Sequence, residues 1–203
     1  RLWGLTAATR TRRLTREQKL DWAGANAPRA DVLVNAAFVL DQEWHRHFAA
    51  TPGAVLTGGG VPIIAHVTSD AQFAAVAGAM REGRPIAAAT GLAITAIEDR
   101  PMLENKSLRK RVTPFVDRLT PETVPGLERA SYFGAYKGVT DALTKYLWPE
   151  WALVLTRIAA RVGMTPNQVT TLGAMLCLLA MYLFWFGHYW WGMLAGLVFM
   201  VLD

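Results

Sequence analysis

Two arginines and one aspartate flank a long uncharged stretch, and their types suit chemistry on a phosphate. Arg157 and Arg161 precede the stretch and Asp203 follows it, and the 41 residues between Arg161 and Asp203 include no Asp, Glu, Lys or Arg. Guanidinium groups bind phosphate oxygens well. A carboxylate that closes an apolar helix is costly unless it binds a cation or another partner. The pattern therefore predicts phosphate or lipid-headgroup contact by the arginines and a bound partner for Asp203.

The arginines lie on a predicted helix, residues 149–163, for which Pro149 is a suitable start. Its apolar residues recur at the spacing of one helix face. They are Trp151, Val154, Leu155, Ile158 and Val162. Two interpretations stay open. The helix lies in a membrane interface with its arginines near lipid phosphates, or it packs as an ordinary amphipathic helix on a soluble domain.

The uncharged stretch contains two apolar runs. Residues 169–186 span about 27 Å as a helix, close to the ~30 Å hydrocarbon core of a bilayer. Residues 187–189 form a short break before the second run, residues 190–202. The simplest account is two antiparallel membrane helices, with Tyr189, Trp190 and Trp191 in an interface belt at the turn. The alternative is a buried helical hairpin of a soluble protein.

The charge distribution predicts an orientation in the membrane. Residues 1–168 hold all 21 basic and 15 of the 16 acidic residues, and no acid lies between Glu150 and the first apolar run. By the positive-inside rule, the N-terminal part is cytoplasmic and the Gly187 turn lies on the far side. We therefore expect an integral membrane protein. The domain combination described below is typical of a bacterial plasma membrane.

Residues 1–100 alternate between helical and strand-like patterns. The predicted elements are a helix within residues 1–19, a strand-like run at 32–40, a helix at 42–50 capped by Asp41, strands at 54–57 and 61–67 around the turn Gly58-Gly59-Gly60, and a helix at 70–82 capped by Ser69. Mixed elements of this kind indicate an α/β domain.

Residues 101–148 form a basic, partly helical connector that includes a predicted helix over residues 127–147. The run Lys106-Ser107-Leu108-Arg109-Lys110-Arg111 precedes the membrane segment. This position favours an anionic lipid surface or a phosphorylated substrate over nucleic acid, and a solvated loop is an equal alternative. Asp141 and Lys145 form an i,i+4 pair that supports the helix.

Several other chemistries find no support in the residues. A single cysteine, Cys177, excludes a disulfide framework and a cysteine-rich zinc site. His45 and His47 are two apart and face different sides of a helix, so they are poor shared metal ligands. The sequence contains no nucleophile elbow, no phosphate-binding glycine-lysine loop and no His-Glu-x-x-His motif.

Three stretches together resemble one family, the CDP-alcohol phosphotransferases. Pro166-Asn167-x-x-Thr170 resembles the Pro-Asn-x-x-Thr start of that family's first membrane helix. Asp203 stands where its Asp-x-x-Asp-Gly-x-x-Ala-Arg signature begins. Residues 136–149 resemble the connector of members that carry a cytosolic nucleotidyltransferase-like domain. The resemblance covers residues 100–203 well and residues 1–100 weakly.

The resemblance implies a reaction in phospholipid biosynthesis. A CDP-linked alcohol or lipid gives its phosphatidyl or alcohol-phosphate group to a second, small alcohol and CMP is released. Asp203 would be a ligand of a divalent metal, Mg²⁺ or Mn²⁺, and Asn167 and Thr170 would line the nucleotide pocket. Membrane lipid is an implied partner, and the resemblance is compatible with a homodimer. Only the first of four family aspartates is present, so we expect an inactive fragment of a longer enzyme with three or four further membrane helices.

The same resemblance implies a degenerate nucleotidyltransferase-like domain in residues 1–100. Trp3-Gly4-Leu5 with Arg10 and Arg13 is similar to a nucleotide loop without its glycines. In Val34-Asn35-Ala36-Ala37-Phe38, Ala37 occupies the expected place of a metal-binding aspartate. The predicted architecture is thus a partial α/β domain (1–100), the connector (101–148), an amphipathic helix (149–163) and two helices of an all-α membrane bundle (164–203). The alternatives are a non-catalytic, membrane-anchored binding module and a cytidylyltransferase that supplies a CDP-alcohol.

Overall fold

The computed structural model describes residues 1–24, 27–105, 110–135 and 148–202. They belong to two compact units, Arg1–Ala135 and Tyr136–Asp203. The first unit combines helices and small sheets, and the described part of the second unit is helical. The expected mixed α/β architecture followed by helices is therefore confirmed at this level.

The first unit contains eight short strands and four α-helices among its described residues. In chain order they are α1 (Ala7–Glu17), β1 (Val32–Val34), β2 (Phe38–Leu40), α2 (Gln42–Ala49), β3 (Ala54–Gly58), β4 (Val61–His66), α3 (Asp70–Glu82), β5 (Ala93–Ala96), β6 (Leu103–Asn105), β7 (Lys110–Val112), β8 (Val116–Arg118) and α4 (Val124–Ala135).

The main sheet has the strand order β1-β4-β3-β5. β4 pairs antiparallel with both β1 and β3, and β5 pairs parallel with β3. Because side chains alternate across a strand, Leu56 and Ile64 face one side of the sheet while Val55 and Ala65 face the other. The first side packs against α2 and the second against α3. The sheet is thus a central layer with a helix on each face.

Local signals set the ends of the elements around this sheet. Asp41 and Ser69 cap α2 and α3 by accepting hydrogen bonds from the Glu43 and Gln72 backbone N–H groups. α3 ends at Gly83, whose φ of 64° lies in the left-handed region that glycine adopts without strain. The predicted caps, and the hairpin that joins β3 to β4, are confirmed.

The strand-like run predicted at 32–40 is wrong as one element. It is divided into β1 and β2, which belong to different sheets. Asn35 causes the break: its side-chain amide donates to the Pro62 carbonyl (3.0 Å) and its Oδ1 accepts from the Ala37 N–H (3.0 Å). This local turn redirects the chain, and β2 then pairs antiparallel with β8.

Two predicted features fall partly outside the described residues. Of the basic run at 106–111, the structure places Lys110 and Arg111 in β7, which pairs with β6. The helix predicted at 127–147 begins three residues earlier, as α4, and residues 136–147 lie outside the described residues, including Asp141 and Lys145.

The second unit consists of three helices in its described part: α5 (Trp148–Val162), α6 (Pro166–Trp185) and α7 (Tyr189–Leu202). α6 begins with a capping box, in which the side chains of Thr165 and Gln168 each accept a hydrogen bond from the other's backbone N–H. In the described residues, α6 is the one helix long and apolar enough to cross a membrane, and α7 is a shorter apolar helix.

Small residues let α6 and α7 pack closely. A Cβ at Gly192 would lie 3.1 Å from the Phe184 ring, and one at Gly173 would lie 3.6 Å from Phe199. Ala180 and Ala195 are also buried. Close approach at small residues is typical of helix pairs in membranes. Most of the remaining apolar surface of this hairpin is exposed.

Candidate functional site

The two predicted nucleotide-binding residues lie together within the first two turns of α6. Asn167 and Thr170 are three positions apart, so they share one face of the helix, and both are exposed. The Thr170 hydroxyl donates to the Pro166 carbonyl at 3.2 Å, and the neighbouring Thr171 hydroxyl donates to the Asn167 carbonyl at 2.9 Å. Helix periodicity therefore brings the predicted pair together on an accessible surface.

The two predicted phosphate-contacting residues lie on α5. Arg157 and Arg161 are four positions apart, and Arg157 is half-buried while Arg161 is exposed. After Val162 the helix ends at Gly163, whose φ of 80° lies in the left-handed region. The Met164 N–H donates to the Ala159 carbonyl at 2.9 Å and closes the end of the helix. The arginines thus lie close in sequence before α6.

The predicted metal ligand, Asp203, lies outside the described residues. In the described part of the chain, no group of three or more His, Cys, Asp or Glu side chains converges on a place that suits a metal. An isolated carboxylate is the right donor type for Mg²⁺ or Mn²⁺. A complete ligand set would need oxygen ligands in addition to Asp203.

In the first unit, two segments that resemble nucleotidyltransferase elements have structural roles. Ala37, for which the resemblance predicts the position of a metal-binding aspartate, is exposed. Residues 3–5 belong to a tight turn that is closed by two backbone hydrogen bonds between Leu2 and Leu5, of 3.0 and 2.9 Å. Leu2 itself is buried against Val39. Ala37 therefore offers no side-chain ligand to a metal.

A buried polar cluster where α1 meets α2 was not predicted as a group. Arg10 donates from its guanidinium to the Leu40 carbonyl at 2.6 Å, and Asp41 caps α2 beside it. Burial raises the pKa of Asp41, against the lowering effects of the Glu43 N–H, Arg10 and Arg46. Burial also lowers the pKa of Arg10, against the attraction of Asp41. These groups join α1 to the start of α2.

His45 lies in the same cluster and is almost fully buried. Burial lowers its pKa to about 4, and the nearby positive charge of Arg10 acts in the same direction. Its Nδ1 lies 3.3 Å from the Asp41 carbonyl oxygen, and its Nε2 has no hydrogen-bond partner within the described residues. His45 is therefore neutral at pH 7, and its buried position beside Asp41 assigns it a structural role.

A partly buried ion pair extends this cluster, since the Glu43 side chain is buried whereas that of Arg46 is 39% exposed. Glu43 is 2% exposed, and Arg46 donates to both of its carboxylate oxygens, at 2.9 and 2.7 Å. The i,i+3 spacing of the pair is visible in the sequence. The burial of Glu43 cannot be recognised in the sequence, because it depends on the elements that pack around α2. We assign the cluster a structural role, since its polar groups bond mainly to one another and to the backbone.

No protein-family model, no curated protein and no solved structure matches this chain.

Proposed function

We propose that this chain belongs to a membrane-embedded CDP-alcohol phosphotransferase. In this reaction, a CDP-linked lipid or alcohol donates its phosphatidyl or alcohol-phosphate group to a second alcohol, and CMP leaves. The observation that carries the proposal is the start of α6. α6 is an uncharged helix of 20 residues, and only 11% of its 18-residue apolar stretch is buried. The exposed pair Asn167 and Thr170 lies near its start.

The proposed roles follow from donor types and positions. The Asn167 amide and the Thr170 hydroxyl offer neutral hydrogen-bonding groups to a nucleotide at the membrane surface. Arg157 and Arg161 attract the phosphates of the donor or of neighbouring lipids. The Asp203 carboxylate is a suitable ligand for Mg²⁺ or Mn²⁺, and such an ion would neutralise the pyrophosphate and the leaving CMP. A further carboxylate, outside this chain, would accept the proton of the attacking alcohol.

The finer architecture belongs to the same proposal. α7 would return across the membrane that α6 crosses, and the first unit would lie in the cytoplasm of a bacterial cell. The first unit would be a nucleotidyltransferase-like domain that has lost its cytidylyltransferase activity. The exposed methyl of Ala37 supports that loss, because a methyl cannot ligate a metal. A homodimer is compatible with these assignments.

The alternative is a non-catalytic binding module anchored by the helices. The two candidates differ in what the complete gene product does with a CDP-alcohol. The enzyme releases CMP, and the binding module does not.

The test is CMP release by the full-length gene product in its own membranes, with CDP-diacylglycerol and a mixture of small alcohols as substrates. We expect release that requires Mg²⁺ or Mn²⁺ and is abolished by Asp203→Asn. Asn167→Ala and Thr170→Val should raise the KM for the CDP-alcohol because they remove contacts to the nucleotide.

The matched control is Thr171→Val. Thr171 is the next residue along α6 and also bonds to a carbonyl one turn back, but it is about 100° away from Thr170 around the helix. This variant should retain the wild-type KM. The proposal is wrong if CMP release is absent, or if Asp203→Asn leaves it unchanged.

A further inference from the structure

α5 carries an apolar stripe that the described residues of its own unit leave exposed. Its members recur at spacings of three and four, so they form one continuous face. Their exposed fractions are 61% for Trp151, 48% for Val154, 51% for Ile158 and 73% for Val162. Four large apolar side chains exposed next to one another on one helix face form a larger apolar patch than the scattered exposed residues that are ordinary on a soluble protein.

The stripe is not the face by which α5 packs within the second unit. Leu153 is 2% exposed, and α5 contacts α7. Since each residue advances about 100° around a helix, Leu153 lies roughly 145° from the centre of the stripe. α5 therefore has one apolar side that is buried by its own unit and a second one that faces outward.

Basic residues border the outward stripe. Arg157 and Arg161 lie roughly 60–100° to one side of its centre on the helical wheel. Between Glu150 and Asp203 the chain contains no acidic residue. An apolar face bordered by arginines matches the boundary between acyl chains and anionic headgroups, because arginine stems lie along apolar surface while their charged ends reach phosphates.

The position of α5 in the chain places the stripe near the start of the membrane helix. Val162 ends α5 and Pro166 begins α6, and four residues span at most about 14 Å. The exposed surface of α6 follows in the same unit. If α6 crosses a bilayer from its first turn, the C-terminal end of α5 at Val162 must lie within that distance of the membrane surface.

We propose that the stripe of Trp151, Val154, Ile158 and Val162 docks into the headgroup region of a bilayer that contains anionic lipid, with Arg157 and Arg161 on lipid phosphates. This inference rests on the membrane location in the proposed function but not on its reaction. The exposed stripe, its bordering arginines and the short link to α6 support one occupant, the lipid surface.

The test uses site-directed spin labels on the full chain, in a Cys177→Ala background, in vesicles of phosphatidylcholine and phosphatidylglycerol. Single cysteines replace Val154 or Ile158 in the stripe. Thr156 is the matched control, since it is exposed but lies roughly 155° from the stripe centre. Met175, which is exposed on α6, reports on the membrane helix. Collision with oxygen reports lipid, and collision with a nickel chelate reports water.

We expect labels at Val154 and Ile158 to collide severalfold more with oxygen, and severalfold less with nickel, than the label at Thr156. Arg157→Gln together with Arg161→Gln should shift the stripe labels toward nickel accessibility in phosphatidylglycerol vesicles. In pure phosphatidylcholine the wild-type and double variant should be alike, because the attraction to anionic headgroups is then absent.

Three results would overturn the inference, and they are distinguishable. In the first result, the stripe labels are accessible to nickel while the Met175 label is in lipid. α6 is then in the membrane and α5 is in water. Stripe labels that are shielded from both reagents, with spin–spin coupling between copies, identify a second copy of the chain as the occupant. A nickel-accessible label at Met175 overturns the membrane location as well. A failure to release CMP, by contrast, leaves the docking unaffected.

Discussion

The two units differ in whether their large apolar side chains are buried or exposed. In the first unit, Trp44 is 1% exposed and packs with Phe48 and Leu56 between α2 and the sheet. In the second unit, Trp185 is 85% exposed at the end of α6. The same apolar chemistry is thus inside one unit and outside the other. The first unit buries its large hydrophobic residues within its own fold, whereas the second exposes many of them at its surface.

The comparison is sharpest in a pair of tryptophan substitutions. Trp44→Ala should lower the free energy of unfolding of the first unit by about 3–5 kcal/mol, since it leaves a cavity in a packed core. Trp185→Ala should change that free energy by less than about 0.5 kcal/mol. Hydrogen exchange of the β3 and β4 amides in the whole chain measures both effects. Equal losses in the two variants would contradict the contrast.

A charge in the middle of α6 tests what surrounds the second unit. Met175→Arg places a guanidinium on an exposed position, which costs almost nothing in water but about 3 kcal/mol in a bilayer centre. We expect a large drop in the fraction of chain that inserts into membranes, measured by glycosylation or protease mapping. Tyr189→Arg, at the first residue of α7, is the control and should insert like the wild type. Normal insertion of Met175→Arg would argue against a membrane-spanning α6.

Acid should weaken the first unit through His45. Its pKa is about 4 in the folded chain, against the ordinary value of 6.5. As pH falls from 6.5 to 4, the unfolded chain takes up a proton that the folded chain does not, so the free energy of unfolding drops by about 3 kcal/mol. The pKa of Asp41 is raised in the folded chain, so Asp41 takes up its proton more readily when folded. This uptake offsets part of the loss in the free energy of unfolding as the pH falls.

His45→Gln removes the titrating group and should flatten the pH dependence between 6.5 and 4, as followed by urea unfolding at a series of pH values. His47 is the comparison residue. Burial also lowers the pKa of His47, but it is only half-buried, so His47→Gln should retain most of the slope. A pH dependence of His45→Gln that is identical to wild type would assign the acid sensitivity to another group.

The smallest effect expected concerns the start of α6. Thr165→Ala removes the capping box with Gln168, which should cost about 1 kcal/mol of helix stability. Increased amide exchange in the first turn, around Asn167, would report it. Thr165→Ser retains the hydroxyl and should restore protection. No difference between the alanine and serine variants would show that other contacts hold this turn.

The sequence predicted best those features that depend on near neighbours. The caps at Asp41 and Ser69 and the hairpin around Gly59 involve residues within a few positions of one another, so their patterns are local. The shared face of Asn167 and Thr170 follows from helix periodicity alone. These features are confirmed as geometry, whereas the nucleotide-binding role of the pair stays a prediction.

Features that depend on residues far apart in the sequence could not be predicted from local patterns. The division of residues 32–40 depends on Asn35, whose amide reaches the Pro62 carbonyl 27 positions away. The parallel pairing of β5 with β3 and the pairing of β2 with β8 are also non-local. Arg10 reaches Leu40 only because α1 and α2 pack together. Such contacts are set by the tertiary fold rather than by local propensity.

The most direct test of the contrast between the units is where the chain resides in cells. Membranes of cells that produce it are washed at alkaline pH, which releases peripheral proteins, and the pellet and supernatant are compared. We predict that the whole chain stays in the washed membrane, while residues 1–135 expressed alone remain in the supernatant. Release of the whole chain as a folded, monodisperse protein would show that the apolar surface of α6 needs no lipid, and a membrane location would then be wrong.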